Sequence, residues 1–304
     1  MFDLIIIGGG PAGVAAGVYA ARKKMKTLLI AGELAGQSVV SADIHNWIGE
    51  PSISGLDLTE KLEKHLRSYE GRGLDIKLDW VKSVSKLGPI FEVKTPTETF
   101  QTKTILLASG SKRKRLGVKG EDEFDGKGVA WCSICDAPLF ADVPVAIVGG
   151  GNVALEAVLD LEKYASKVYL LVRGNVIKGD PITQDKISKL SKVEMIYSSV
   201  VEEIYGKEMV TGLRYKIGTN SEIKELSLGG VFIEIGAVPN SDLVKDLVKL
   251  NFYNEIEIDH QTQASSLPGI WAAGDVSNCL YKQNNISAGD GIRAVLNIYD
   301  YLHR

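Results

Sequence analysis

The chain has 304 residues, 45% hydrophobic and 24% charged, with a formal net charge of −3. This composition fits a folded protein of about two domains and excludes a global basic field for nucleic acid. Three cysteines are too few for a secreted disulfide framework, and no apolar run approaches the roughly 20 residues of a membrane span.

The first apolar run, Phe2–Ile7, is too short for a signal-peptide core and ends in Gly8-Gly9-Gly10-Pro11-Ala12-Gly13. An alanine-rich stretch over 15–22 predicts a helix, and 27–30 predicts a second strand. Strand, glycine turn, helix and strand together form a dinucleotide fingerprint. Gly8 permits the tight turn, Gly10 lets the backbone approach a pyrophosphate, and Gly13 allows close helix–strand packing. Glu33 follows the second strand and is placed to accept hydrogen bonds from a ribose hydroxyl. An alternating run over 90–95 predicts a hairpin strand, and this half closes on Ile105-Leu-Leu-Ala108-Ser109-Gly110. The basic run Lys112-Arg113-Lys114-Arg115, followed closely by acidic Glu121-Asp122-Glu123, reads as a solvated loop.

Cys132-Ser-Ile-Cys135 comes next, with Asp136 directly after it. Thiols at this spacing can close a small disulfide ring or supply half of a zinc site. Zinc needs about four ligands, and only Cys279 and four scattered histidines remain, including His45. The pair is therefore expected to be a redox dithiol, with Cys279 a packed thiol.

The fingerprint then returns as strand 145–148, Gly149-Gly-Gly151-Asn152-Val-Ala154, a helix to about 162, and strand 167–172. Arg173 and Lys178 follow that strand with no acid between them, which leans toward a 2′-phosphate and NADPH. A hairpin strand is expected over Val210–Ile217, and this copy closes on 231–236. The last helix is predicted over 289–302, with Ile292, Val295, Leu296 and Tyr299 on one face.

The ordered set resembles the low-molecular-weight thioredoxin reductase family, class II FAD-dependent pyridine nucleotide-disulfide oxidoreductases. The resemblance rests on Gly8–Gly13, Gly36-Gln37, Asn46-Trp-Ile-Gly49, Ala108-Ser109-Gly110, Cys132-x-x-Cys135-Asp136, the Gly149 fingerprint, Gly236-x-x-Pro239, Ala273-Gly274-Asp275-Val276 and Lys282-Gln283. It implies an α/β fold with two Rossmann-like dinucleotide-binding domains of three-layer ββα type, the second inserted in the first. The FAD domain would span 1–112 and 243–304, and the NAD(P)H and dithiol domain 113–242.

The resemblance assigns Gly8, Gly10, Pro11, Ala12, Gly13, Glu33, Gly36, Gln37, Asn46, Ala108, Ser109, Gly110, Gly274, Asp275, Lys282 and Gln283 to FAD. It assigns Gly149, Gly151, Asn152, Ala154, Arg173 and Lys178 to the nicotinamide nucleotide. Cys135 would face the flavin, Cys132 would exchange with a thioredoxin or glutaredoxin-like disulfide, and Asp136 would move protons for the thiols. A cytoplasmic homodimer with a rotating middle domain, bound to neither nucleic acid nor membrane, is also implied.

The family's NADPH signature His-Arg-Arg-x-x-x-Arg is here Val172-Arg173-Gly174-x-x-x-Lys178, and Ala137 and Ser109 are smaller departures. The departures leave NADPH or NADH open as the donor, with ferredoxin a further alternative. A dithiol oxidase using oxygen and a non-enzymatic flavin redox sensor are the competing functions.

Overall fold

A computed structural model describes residues 1–34, 36–41, 44–218 and 222–303. The first unit begins with β1 (Phe2–Ile7), α1 (Pro11–Arg22), β2 (Thr27–Ala31), α2 (Gly55–Arg67) and β3 (Leu74–Leu78). The strands β4 (Ser83–Leu87), β5 (Ile90–Lys94), β6 (Thr99–Leu107) and β7 (Ser111–Arg113) follow. The second unit holds β8 (Val129–Ala130), α3 (Ser133–Asp136), β9 (Pro144–Val148), α4 (Asn152–Leu161), β10 (Lys167–Leu171) and α5 (Pro181–Ser188). It continues through β11 (Val193–Ile196), β12 (Ser199–Gly206), β13 (Val210–Ile217), β14 (Lys224–Ser227) and β15 (Gly230–Ile233). The chain then runs through β16 (Ala237–Pro239), β17 (Ile270–Ala272) and α6 (Asn284–Leu302).

Two compact units result, Met1–Lys112 with Val238–Arg304, and Arg113–Ala237. The second is an insertion in the first. The chain re-enters the first unit at Val238, and Asn240 bonds Ser109 and Gly110 there.

In the first unit the sheet order is β3-β2-β1-β6-β5-β4, with β17 beside β6. Strands β3, β2, β1, β6 and β17 run parallel, while β4, β5 and the start of β6 form an antiparallel meander. A parallel strand covered on both faces needs an unbroken apolar run, and β1 has one over Leu4–Ile7. Its side chains alternate all the same. Leu4 and Ile6 enter the core under α1 and α6, whereas Ile5 and Ile7 enter the core with Phe91, Val93, Val244 and Ile256.

The second unit repeats this plan with sheet order β11-β10-β9-β15-β8. Val145 and Ile147 of β9 pack with α4 residues, and Ala146 and Val148 pack with β12 and β13. Both units are therefore three-layer ββα sandwiches.

Two sequence expectations shift. Helix α6 starts at Asn284, not 289, and its buried residues are Asp290, Gly291, Ala294, Val295 and Ile298, while Leu296 is exposed. Its first turns are small or polar, so hydrophobic periodicity misses the start, and there a Cβ on Gly291 would lie 2.2 Å from the carbonyl oxygen of Ala12. The basic run is not simply a loop. Its first half is in β7, and Arg115 stacks 4.6 Å from the Trp131 ring centroid while pairing with Asp122 and Asp125.

A Cβ on Gly13 would sit 2.0 Å from the Gly8 carbonyl oxygen, so Gly13→Ala must push α1 off β1. We expect this substitution to cost roughly 1–3 kcal/mol by denaturant titration. No atom lies within 4 Å of a Cβ on Gly151, so Gly151→Ala should cost about 1 kcal/mol or less.

Candidate active site

Each glycine turn is wedged against the end of a neighbouring parallel strand. At Gly8, with φ +120°, a side chain would meet the Ala108 carbonyl oxygen at 2.2 Å. At Gly149 it would meet the Glu234 carbonyl oxygen at 2.4 Å. The second fingerprint glycine of each turn faces open space. The nearest atom to a Cβ on Gly10 is Gly36 Cα at 3.8 Å, and nothing approaches Gly151. Helices α1 and α4 start there with Gly10 and Gly151 as N-caps, with neither a side-chain cap nor an acid in the first turn. Their first N–H groups are thus available to an anion, and both cradles fit a pyrophosphate.

In the first unit, Glu33 lies just beyond β2 and is exposed. Asn46 donates to Gln283 Oε1 at 3.2 Å, so two residues expected to line the flavin meet across a long sequence separation. Asn285 fastens the same loop by bonding the Asn46 carbonyl oxygen at 2.6 Å. Gln37 Nε2 reaches Ser111 Oγ at 3.4 Å, and Ser109 exchanges hydrogen bonds with Asn240 at 2.9 and 2.7 Å. A Cβ on Gly274 would lie 3.4 Å from Ala12 Cβ, which brings the half-buried Asp275 beside the first turn of α1. These residues fit FAD. Lys282 differs: its ammonium bonds the Ser277 carbonyl oxygen and pairs with Glu255 at 3.0 Å, so it braces the wall.

Sequence reasoning missed Asn240, Asn285 and Trp80. The Trp80 ring overlies Gly32, where a Cβ would collide at 2.0 Å, next to Glu33. The pairing of a bare glycine with an exposed tryptophan carries no periodic signal.

In the second unit, the segment after β10 folds back on the glycine turn. Lys178 N–H donates to the Gly150 carbonyl oxygen at 2.8 Å, and Val172 is buried against Gly150. Arg173, Gly174 and the Lys178 side chain are exposed around this turn. Asn152 is engaged in holding the segment, accepting the Asp180 N–H at 2.7 Å. Ala154 is fully buried, 2.7 Å from where a Gly149 Cβ would stand. The arrangement fits a nicotinamide dinucleotide with few groups to grip a 2′-phosphate.

Cys132 and Cys135 form a disulfide with Cα atoms 5.3 Å apart. One helical turn, α3, starts directly after Cys132, and the Cys135 N–H donates to Cys132 Sγ at 3.3 Å. That hydrogen bond favours a thiolate at Cys132 once the pair is reduced. Asp136 makes no side-chain cap hydrogen bond to the turn that follows it. Burial pushes its pKa up to about 6, against the opposing pull of Arg113. Glu234 is pushed up to about 8, again mainly by burial. Sequence reading missed this acid because it lies at the end of an otherwise apolar strand. Cys279 belongs to the first unit, where burial and the nearby Asp290 raise its pKa. His45 bonds the Pro51 carbonyl oxygen at 3.1 Å. Among the described residues, no group of three or more His, Cys, Asp or Glu could hold a metal ion, and no helix is long and apolar enough to cross a membrane.

The pyridine nucleotide-disulphide oxidoreductase family model matches residues 2–291. Thioredoxin reductase from Streptococcus pyogenes MGAS5005 has a similar structure, with TM-score 0.94 and 33% identity, covering 100% of this chain and 98% of that one. Thioredoxin reductase from Giardia duodenalis gives TM-score 0.93 and 30% identity, covering 100% and 99%. Among curated relatives, the F-subunit protein of alkyl hydroperoxide reductase from Pseudomonas putida is 38% identical over 305 residues, 100% of this chain and 58% of the relative. A protein named NADH dehydrogenase in Bacillus subtilis (strain 168) is 36% identical over 305 residues, 100% of this chain and 59% of the relative. The chain thus spans under two thirds of the length of these curated relatives. With two phosphate cradles and a Cys132–Cys135 pair in one continuous match, the chain belongs to the pyridine nucleotide-disulphide oxidoreductase family.

Proposed function

We propose that the protein is a disulfide reductase that takes electrons from a nicotinamide nucleotide and delivers them to a thioredoxin-type protein disulfide. The observation that carries this reading is the Cys132–Cys135 pair in the unit that also holds the second cradle. Bound FAD supplies the two-electron chemistry that links the nicotinamide donor to the dithiol.

The chain's own residues act in exchange. Cys132 as thiolate attacks one sulfur of the partner's disulfide, and the other partner sulfur leaves as thiolate. Cys135 then attacks Cys132 in the mixed disulfide, which releases the reduced partner and closes the Cys132–Cys135 ring. Asp136 takes the proton from the attacking thiol and returns it to the leaving one. An acid titrating near 6 is suited to that exchange at neutral pH. Glu33, Asp275, Asn46 and Gln283 bind FAD, while Gly149, Gly151, Ala154, Arg173 and Lys178 bind the nucleotide.

The donor in this proposal is NADH in preference to NADPH. Gly174 has no side chain, and Lys178 offers a point charge where a guanidinium would offer a fork. The name NADH dehydrogenase on one relative agrees with this choice. A glutaredoxin-like disulfide served by the same dithiol is the second reading, and the name alkyl hydroperoxide reductase on other relatives agrees with an acceptor besides thioredoxin.

Cys132→Ser and Cys135→Ser should keep FAD yet lose disulfide reduction, measured with insulin-coupled thioredoxin and with a glutaredoxin-like acceptor. Undiminished turnover in either variant would refute the exchange mechanism. Anaerobic flavin bleaching should need less NADH than NADPH, and a flavin bleached by dithionite alone would point to another donor. A Cβ on Gly174 meets nothing closer than 3.5 Å, so Gly174→Arg with Lys178→Arg should fold normally. We expect the double variant to gain at least about tenfold in kcat/KM for NADPH, from one or more new charge-assisted bonds of roughly 1.5–3 kcal/mol.

Asp136 has a folded pKa near 6 against an ordinary 3.8. Its folded state therefore binds the proton more tightly, and stability falls as pH rises through that window. Asp136→Asn should raise the thermal midpoint above the wild type at pH well over 6, with the difference vanishing below 3.8.

A further inference from the structure

We propose that Asp160 is a positioning residue for the dithiol, a carboxylate on α4 that ties the Cys132–Cys135 turn to the helix behind it through Ser133. This inference rests on the disulfide-reductase reading for the use of the dithiol, and on no particular donor or partner. Helix α3 is a single turn, Ser133–Asp136. A turn of that length does not hold itself together and needs outside support. Its one buried residue is Ser133, 8% exposed, while the neighbouring Ile134 is 64% exposed. Packing alone would call for an apolar side chain at the buried position, since a hydroxyl there is costly without a partner.

Ser133 has such a partner. Its Oγ donates to Asp160 Oδ2 at 2.9 Å, across 27 positions of sequence. The acceptor is a carboxylate, and hydrogen bonds to an ionised group are roughly twice as strong as neutral ones. Asp160 lies in the last turn of α4, the helix whose first turn borders the second cradle. The segment that carries the dithiol is pinned at both ends in the core under α4, by Ala130 on one side and by Ala137 and Phe140 on the other. The Ser133–Asp160 bond fastens the middle of that segment, between the two sulfurs.

The tether acts on ring closure. Reduction breaks the S–S bond, and two electrons and two protons leave Cys132 and Cys135 as thiols. With the ring closed, the turn is held formed: the Cys135 N–H reaches Cys132 Sγ at 3.3 Å and the Asp136 N–H reaches the Cys132 carbonyl oxygen at 3.0 Å. With the ring open, the covalent link no longer holds the turn, and the Ser133–Asp160 bond does. The two thiols then stay close, so closing the ring again costs less conformational entropy. The bond is complete in the disulfide state and is lost whenever the opened turn unravels. That difference between the states is what lets it favour the disulfide over the dithiol. In the mixed disulfide it keeps Cys135 beside Cys132 for the resolving attack.

The test uses full-length, FAD-bound protein equilibrated anaerobically against mixtures of reduced and oxidised dithiothreitol. Dithiothreitol gives up two electrons and two protons, closes its own cyclic disulfide, and leaves the Cys132 and Cys135 thiols. After acid quenching, the reduced fraction is read by maleimide labelling and mass, with Cys279 adding one label in either state. Ser133→Ala and Asp160→Ala should each shift the equilibrium about fivefold or more toward the dithiol, part of what one charge-assisted hydrogen bond contributes. The double variant should shift no further than the larger single effect, because both substitutions remove the same bond. Asp160→Asn keeps an acceptor oxygen without the charge, so it should lie closer to wild type than Asp160→Ala. A wild-type equilibrium in either single variant, effects that multiply in the double variant, or Asp160→Asn matching Asp160→Ala would overturn the proposal. If the Asp160 variants do not fold, Ser133→Ala decides alone, and an unshifted equilibrium there overturns it. Because dithiothreitol is the reductant, failure here is distinct from failure of NADH or of a protein disulfide to react.

Discussion

The structure depends on a steric constraint, the closure of a glycine turn by the carbonyl end of the adjacent parallel strand. Neither Gly8 nor Gly149 has room for a Cβ, because Ala108 and Glu234 present their carbonyl oxygens at 2.2 and 2.4 Å. This contact sets the depth at which α1 and α4 meet their sheets. It also aims their uncapped N-termini at the open space over Gly10 and Gly151. A helix that started one residue later, or stood further from its strand, would point its N–H groups away from the cradle. The parallel strands supply the rigid floor, and their unbroken apolar runs follow from being covered on both sides.

The parts of the molecule that repeat were legible in the sequence. Phe2–Ile7 with Gly8, Gly10 and Gly13, and the second run with Gly149, Gly151 and Ala154, gave strand, turn and helix directly. The dithiol was legible from its spacing together with the shortage of further zinc ligands. What escaped was tertiary. Asn46 meets Gln283 from the far end of the chain, and no local pattern connects them. The start of α6 was missed because its first turns, from Asn284 to Asp290, are mostly small or polar and show no apolar stripe. Asn152 and Lys282 belong to the expected motifs, yet their side chains bond Asp180 N–H and Ser277 O. Motif membership locates such residues without revealing which atom they touch.

The two copies also differ in their electrostatics. The first turn is bordered by Ala108 and the second by Glu234, which joins Asp136 and Asp160 around Ser133. Arg113 offsets this cluster, and it lies within 5.8 Å of the Trp131 ring centroid. A basic run that reads as a solvent-facing patch thus serves partly as internal counter-charge. The two units share one frame, and the second sets a disulfide turn and a group of acids into it.

The insertion has a kinetic consequence. Strand β17 pairs with β6, and α6 packs on α1, so the first unit closes only across the whole length of the second. Those are contacts of high sequence separation, whose loop entropy must be met before they stabilise anything. The second unit needs no such return, since all its sheet strands lie in one uninterrupted segment. During synthesis it can close while β1 and α1 still lack α6. Until the C-terminal segment arrives, the apolar face of α1 stays uncovered, and that interval is when the nascent chain is most prone to aggregate.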